Sequence, residues 1–169
     1  MPIIAIVGAG FSGVATAANL ARLPWPRGGR VVLVERSARF ARGVAYSTDH
    51  PHHLLNVPAG RMGALADDEG HFLRWLRRTD PSVTGDAFVP RRRYGDYLEW
   101  LLGDATSRAA ANVEIVRRQG DVVDISLAGS TATLALHDGE SIEADRVVLA
   151  LGNLPPSDPI PAGRLNGDT

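Results

Sequence analysis

The chain has 169 residues, 18 basic and 19 acidic side chains, no cysteine, and a formal net charge of −1 at pH 7. That length suits one domain whose core is large enough to stand without a disulfide or metal staple. The missing cysteines exclude a disulfide scaffold, a dithiol redox centre, a thiolate zinc site and a cysteine nucleophile. The near-neutral balance speaks against nucleic acid as a partner.

Every basic residue is arginine, so neither a Schiff-base lysine nor a P-loop lysine is available. Residues 3–21 carry no charge, a length that raises the question of a signal peptide or membrane span. The stretch lacks a basic leader and holds Gly8, Gly10, Ser12, Gly13, Thr16 and Asn19, which another reading explains. A cytoplasmic protein with no membrane partner is the expectation.

In chain order, residues 3–7 form a β-branched apolar run suited to a buried parallel strand. The glycine-rich turn Gly8-Ala9-Gly10-Phe11-Ser12-Gly13 follows, and residues 14–23 read as an alanine-rich helix. Pro24, Pro26, Gly28 and Gly29 stop that helix, and residues 31–35 read as the next strand, ending in Glu35. Together they make one βαβ unit. Residues 37–69 show no convincing period. Residues 70–79 and 94–108 read as helices, and 113–116 as a strand. Residues 121–137 alternate as two antiparallel strands, with a third at 141–143. Residues 146–151 read as a last buried strand, closed by Gly152-Asn153-Leu154-Pro155. The expected domain is 1–154, and the Pro/Gly-rich residues 155–169 read as a tail or linker. The fold class is α/β: a Rossmann-type parallel sheet carrying the βαβ unit, with an antiparallel β-meander inserted before the last strand.

The first turn has the residues a dinucleotide diphosphate needs. Gly8 permits a tight turn, Gly10 lets the backbone approach the pyrophosphate, and Gly13 lets the helix lie close to the strand. Ser12 adds a hydroxyl in the first helical turn. Glu35 lies about 20 residues past the last glycine, where an acid accepts from ribose hydroxyls. This motif does not separate FAD from NAD, which share the ADP half. The meander ahead of a strand ending in Gly-x-x-Pro argues for FAD over the repeated βα units of a nicotinamide dehydrogenase.

These two motifs together resemble the FAD domain of flavoproteins of the glutathione-reductase type. The segments Gly43-Val44-Ala45-Tyr46-Ser47, His53 to Met62, Phe72 to Leu76 and Val89 to Leu98 narrow the resemblance to the bacterial FAD/NAD(P)-binding oxidoreductases, which are similar to flavin-containing and N-hydroxylating monooxygenases. The resemblance runs from residue 3 to residue 156. It implies that Gly8, Gly10, Phe11, Ser12 and Gly13 hold the FAD diphosphate. It places Glu35 at the AMP ribose, Arg36 beside the adenine and the Val122 backbone at the adenine edge. Gly43, Val44 and Ala45 would pass near the diphosphate and flavin, and Ala150 and Gly152 would pack along the adenosine-to-diphosphate stretch. Asn56 and Met62 would sit near the isoalloxazine ring.

Relatives of this kind are usually much longer and carry a second glycine fingerprint for NAD(P)H, which this sequence lacks. The expectation is an incomplete FAD domain, the N-terminal part of a flavin-dependent, NAD(P)H-linked, monooxygenase-like oxidoreductase acting on a small molecule. NAD(P)H would bind through a region outside this chain, so turnover by this chain alone is doubtful. Two alternatives stay open: an NAD(P)-dependent dehydrogenase-type Rossmann domain, and a non-catalytic truncated nucleotide-binding module. No catalytic acid or base stands out. His50, His52 and His53 beside Asp49 read as a loop without metal. Arg91-Arg92-Arg93 reads either as an anion site or as a solvated run pairing with Asp96 or Glu99.

Overall fold

A computed structural model describes residues 1–153. The calls on the tail and on Leu154 and Pro155 lie outside them. Four parallel strands form one sheet in the order β3-β2-β1-β7, where β1 is Ile3–Val7, β2 is Gly29–Glu35, β3 is Val113–Gln119 and β7 is Arg146–Leu149. A second, antiparallel sheet holds β4 (Val122–Ala128), β5 (Thr131–Leu136) and β6 (Ser141–Ala144) in sequential order. The helices are α1 (Phe11–Arg22), α2 (Gly43–Tyr46), α3 (His71–Leu76) and α4 (Arg91–Arg108).

The alternation along the central strands explains the layers. Ile6, Val31, Leu33 and Ile115 face the helices and join Val14, Ala17, Ala18, Phe72, Tyr94, Tyr97 and Leu98 in the main core. Their neighbours point the other way, because successive strand side chains alternate. Ala5 and Val7 pack with Ala132, Leu134 and Ala144 of the meander, and Val32 and Val34 pack with Leu136. A strand covered on both faces must be apolar throughout, which is why β1 and β2 read as continuous hydrophobic runs.

The element boundaries differ from the sequence reading in instructive ways. Helix α1 starts at Phe11, not at residue 14, because Gly10 is its extended N-cap (φ −73°, ψ −162°) and the glycine turn leads straight into it. Phe, Ser and Gly are weak helix formers, so propensity hid that first turn. Helix α4 starts at Arg91 behind Pro90, whose ring is already set for a helix start. Three arginines at a helix's positive end oppose its dipole, which masked the same turn. Residues 37–69 contain α2 and a 3-10 turn at Ala59–Arg61. Strand β7 stops at Leu149, two residues short of the expected end. No described helix is long and apolar enough to cross a membrane.

Candidate functional site: a glycine-lined cleft at the strand ends

The C-terminal ends of β1, β2 and β7 open onto a cleft of about 970 Å3. Ligands of open α/β sheets bind at this end of the strands. The cleft floor is built from backbone. Gly8 adopts φ +99°, and a methyl group there would lie 2.3 Å from the Ala150 carbonyl oxygen. A methyl group at Gly13 would lie 1.9 Å from the Gly8 carbonyl oxygen. Glycine at both positions lets strand, turn and helix meet. Gly13 is therefore buried beneath the cleft, not part of its lining.

Gly10 plays a different part. A methyl group there would meet only the Gly43 Cα, at 3.6 Å. Two backbone segments thus approach one another closely with no side chain between them, and a methyl group at Gly43 would lie 3.2 Å from the Gly10 Cα. The α1 N-terminus has no side-chain cap and no acid in its first turn, so its leading N–H groups point toward the cleft unclaimed by a side chain. Phe11 and Ser12 line the same wall.

Glu35 closes the end of β2. Its Oε2 accepts from the Ala9 N–H at 2.8 Å and its Oε1 from the Ser37 N–H at 3.1 Å. Each oxygen keeps a lone pair for a further donor. The Glu35 carbonyl accepts from Gly120 N–H at 2.9 Å, which brings Gly120, Asp121 and Val122 to the same end of the cleft. Arg36 and Arg39 line it as well.

The opposite wall is the loop from Ala41 to Ser47. Ala41 adopts a left-handed φ of +79° and Gly43 one of +55°. The Ala41 N–H donates to the Ala9 carbonyl at 2.8 Å, which ties this loop to the glycine turn. Val44, exposed, lines the cleft with Ala45 and Tyr46. Burial pushes the Tyr46 phenol above its ordinary pKa, against the pull of the nearby Arg91.

Of the residues expected at the site, Gly8, Gly10, Phe11, Ser12, Glu35, Arg36, Gly43, Val44, Ala45, Val122, Ala150 and Gly152 all line this one cleft. The lining does not include Asn56, which is exposed, or Met62, which packs half-buried against the main core. Among the three arginines 91–93, only Arg91 lines the cleft; Arg93 lies over the Trp75 ring and donates to Thr79 Oγ1. Asp96 and Glu99 do not pair with them. Their main partner is Arg42, a loop residue that periodicity could not single out, and Glu99 also lies 3.7 Å from Arg39. His50 and His53 stack with ring centroids 4.7 Å apart, and His53 Nδ1 lies 2.7 Å from Thr48 Oγ1.

Comparison with known proteins follows the same lines. No curated protein matches the chain. Among solved structures, cyclohexanone monooxygenase in its open form superposes with a TM-score of 0.62 at 18% identity, covering 92% of this chain and 29% of that one. S-allyl-L-cysteine S-oxygenase from Allium sativum gives 0.58 at 22% identity, covering 87% and 35%. A flavin-containing monooxygenase from Stenotrophomonas maltophilia gives 0.57 at 21% identity, covering 89% and 38%. At these identities the likeness is one of fold, and the chain spans about a third of each neighbour's length. The sequence profile of the FAD-NAD(P)-binding proteins matches residues 5–154, and the chain belongs to that family.

Proposed function

We propose that the chain is the FAD-binding portion of a flavin-dependent, NAD(P)H-linked oxidoreductase of monooxygenase-like type. The observation that carries this reading is the cleft at the ends of β1, β2 and β7, with the uncapped start of α1 opening onto it, the backbones of Gly10 and Gly43 in its wall and Glu35 at its end. A diphosphate needs N–H donors and no Cβ in its path. The cleft wall at the start of α1, lined by Gly8, Gly10 and Gly43, meets both needs, so the residues present fit the group.

In this reading the N–H groups of Phe11 and Ser12 hold the diphosphate, with the Ser12 hydroxyl as a further donor and Gly13 shaping the turn beneath them. Glu35 orients the AMP ribose through the lone pairs left free by Ala9 and Ser37. Arg36 and the Val122 backbone flank the adenine. Gly43, Val44 and Ala45 border the diphosphate and the start of the flavin half, and Ala150 and Gly152 border the opposite side. Asn56 and Met62 are proposed for the isoalloxazine side on the resemblance alone. When bound, the flavin supplies hydride acceptance from NAD(P)H and electron delivery onward; the protein supplies binding, orientation and electrostatics.

The test is a visible absorption spectrum of the purified chain after FAD is added and the excess removed. Retained flavin bands near ~370 and ~450 nm support the reading. A folded chain that retains no flavin but binds NAD(P) overturns it in favour of a dehydrogenase-type domain.

A further inference from the structure

Arg42 is the one buried charged side chain among the described residues, 6% exposed, and it borders the cleft without facing a ligand group as its main partner. Its guanidinium is committed to α4. Nε donates to Glu99 Oε1 at 2.5 Å, Nη2 donates to Glu99 Oε2 at 3.1 Å and to Asp96, and Nη1 reaches the Arg92 carbonyl. The fork geometry is one that arginine provides and lysine does not. The hydrogen bonds and charge of Glu99, with Asp96 beside it, hold the Arg42 pKa above its ordinary value despite burial.

Two further features bear on this side chain. Arg42 stands between Ala41 and Gly43, both left-handed. A non-glycine residue in that conformation costs on the order of 1 kcal/mol or more and persists only where its surroundings hold it. On α4, a methyl group at Gly95 would lie 2.8 Å from Arg42 Nη1 and 2.7 Å from the Tyr46 carbonyl oxygen. Both the sequence of α4 and its carboxylates make room for this one guanidinium. A buried ion pair adds little net stability, because desolvation offsets the attraction. The arrangement is better explained by the conformation it fixes.

We propose that Arg42 is a positioning residue for the cofactor: its clamp on Glu99 and Asp96 holds the Ala41–Gly43 turn against Gly10 and so sets the wall that the diphosphate and flavin half of FAD must pass. The inference rests on the FAD reading above. It assigns Arg42 no direct charge contact with the diphosphate, since four of its five N–H donors are turned to α4. Among the described residues, Glu35, Arg36 and Val122 at the adenosine end make no hydrogen bond or ion pair with Arg42, Asp96 or Glu99.

The test compares FAD and AMP binding, by calorimetry, in the wild-type chain and in Arg42→Lys and Glu99→Gln. AMP reads the adenosine end with a single phosphate and lacks the second phosphate and the flavin half. FAD affinity is expected to fall about tenfold or more in Arg42→Lys, as a misplaced wall costs binding geometry, and by less in Glu99→Gln. AMP affinity stays at the wild-type value in both. Glu99 is partly exposed, so its variant reports on the clamp even if Arg42→Lys fails to fold. Equal losses for FAD and AMP, or no loss in a folded variant, overturn the positioning role while leaving the flavin reading intact. A wild-type chain that binds AMP but not FAD overturns the flavin reading and the positioning role with it.

Discussion

Gly10 and Gly13 sit three residues apart in one motif yet do separate jobs, and substitution separates them. A methyl group at Gly13 collides with the Gly8 carbonyl oxygen at 1.9 Å, and backbone has nowhere to move. Gly13→Ala is expected to lose about 1–3 kcal/mol of stability, as overpacking does, seen as a lower denaturation midpoint without ligand. Gly10 has φ −73°, and its added methyl group meets Gly43 Cα at an ordinary 3.6 Å. Gly10→Ala is therefore expected to lose under about 1 kcal/mol, the scale of an N-cap change, while FAD binding weakens because the methyl group crowds the cleft wall where Gly10 and Gly43 meet beside the leading N–H groups of α1. Equal stability losses in the two variants would contradict this division. The sequence carries the three glycines and their spacing, but not which one touches ligand. That distinction comes from the approach of Gly43, some thirty residues away in the chain.

At the scale of elements, α3 is fastened to α4 through a buried phenol. The Ala64 N–H donates to the Tyr97 oxygen at 3.2 Å, and the Tyr97 hydroxyl shares a second hydrogen bond with His71 Nδ1, 2.7 Å away. Burial pushes the Tyr97 phenol up to about 12, leaving it a donor at all working pH. Tyr97→Phe orphans the Ala64 N–H and the His71 nitrogen and is expected to cost about 1–3 kcal/mol, measurable by urea denaturation. The same contact couples stability to pH. Desolvation lowers the His71 pKa below 6.5, so the unfolded chain binds the proton more readily. Stability is then full above pH 6.5 and falls as pH drops below it. Thermal midpoints between pH 7.5 and 5.5 are expected to fall more steeply for wild type than for His71→Gln; parallel curves would remove His71 as the cause. Helix α4 itself was legible in the sequence from Tyr97, Leu98, Leu101 and Leu102 at helical spacing. Its first turn was not, because Arg91–Arg93 oppose the helix dipole locally and are placed by tertiary contacts to Leu54, Thr79 and Trp75. The Arg42 clamp was illegible for the same reason: its carboxylates lie more than fifty residues along the chain.

For the whole molecule, a parallel sheet was legible from the apolar runs of β1 and β2 joined by one helix, but the order β3-β2-β1-β7 was not, since β3 mixes apolar with charged residues and pairs with β2 from far along the chain. The separate meander was legible from its alternation, and it covers the sheet face opposite the helices. What sequence could not supply is the cleft as a volume, formed where the glycine turn, the Ala41–Ser47 loop, the start of β4 and the end of β7 converge. Four separate stretches of chain meet there, so a ligand that spans them should tie the fold together. Linkage gives the size of the effect: a ligand at a hundred times its dissociation constant adds about 2.7 kcal/mol to folding. For a chain of this size each kcal/mol moves the midpoint by about 2–4 °C, so saturating FAD is expected to raise it by roughly 5–10 °C. NAD at the same concentration shares only the ADP half and is expected to raise the midpoint less. A larger shift with NAD than with FAD would reverse the ranking of the two cofactors and transfer the cleft to a nicotinamide dinucleotide.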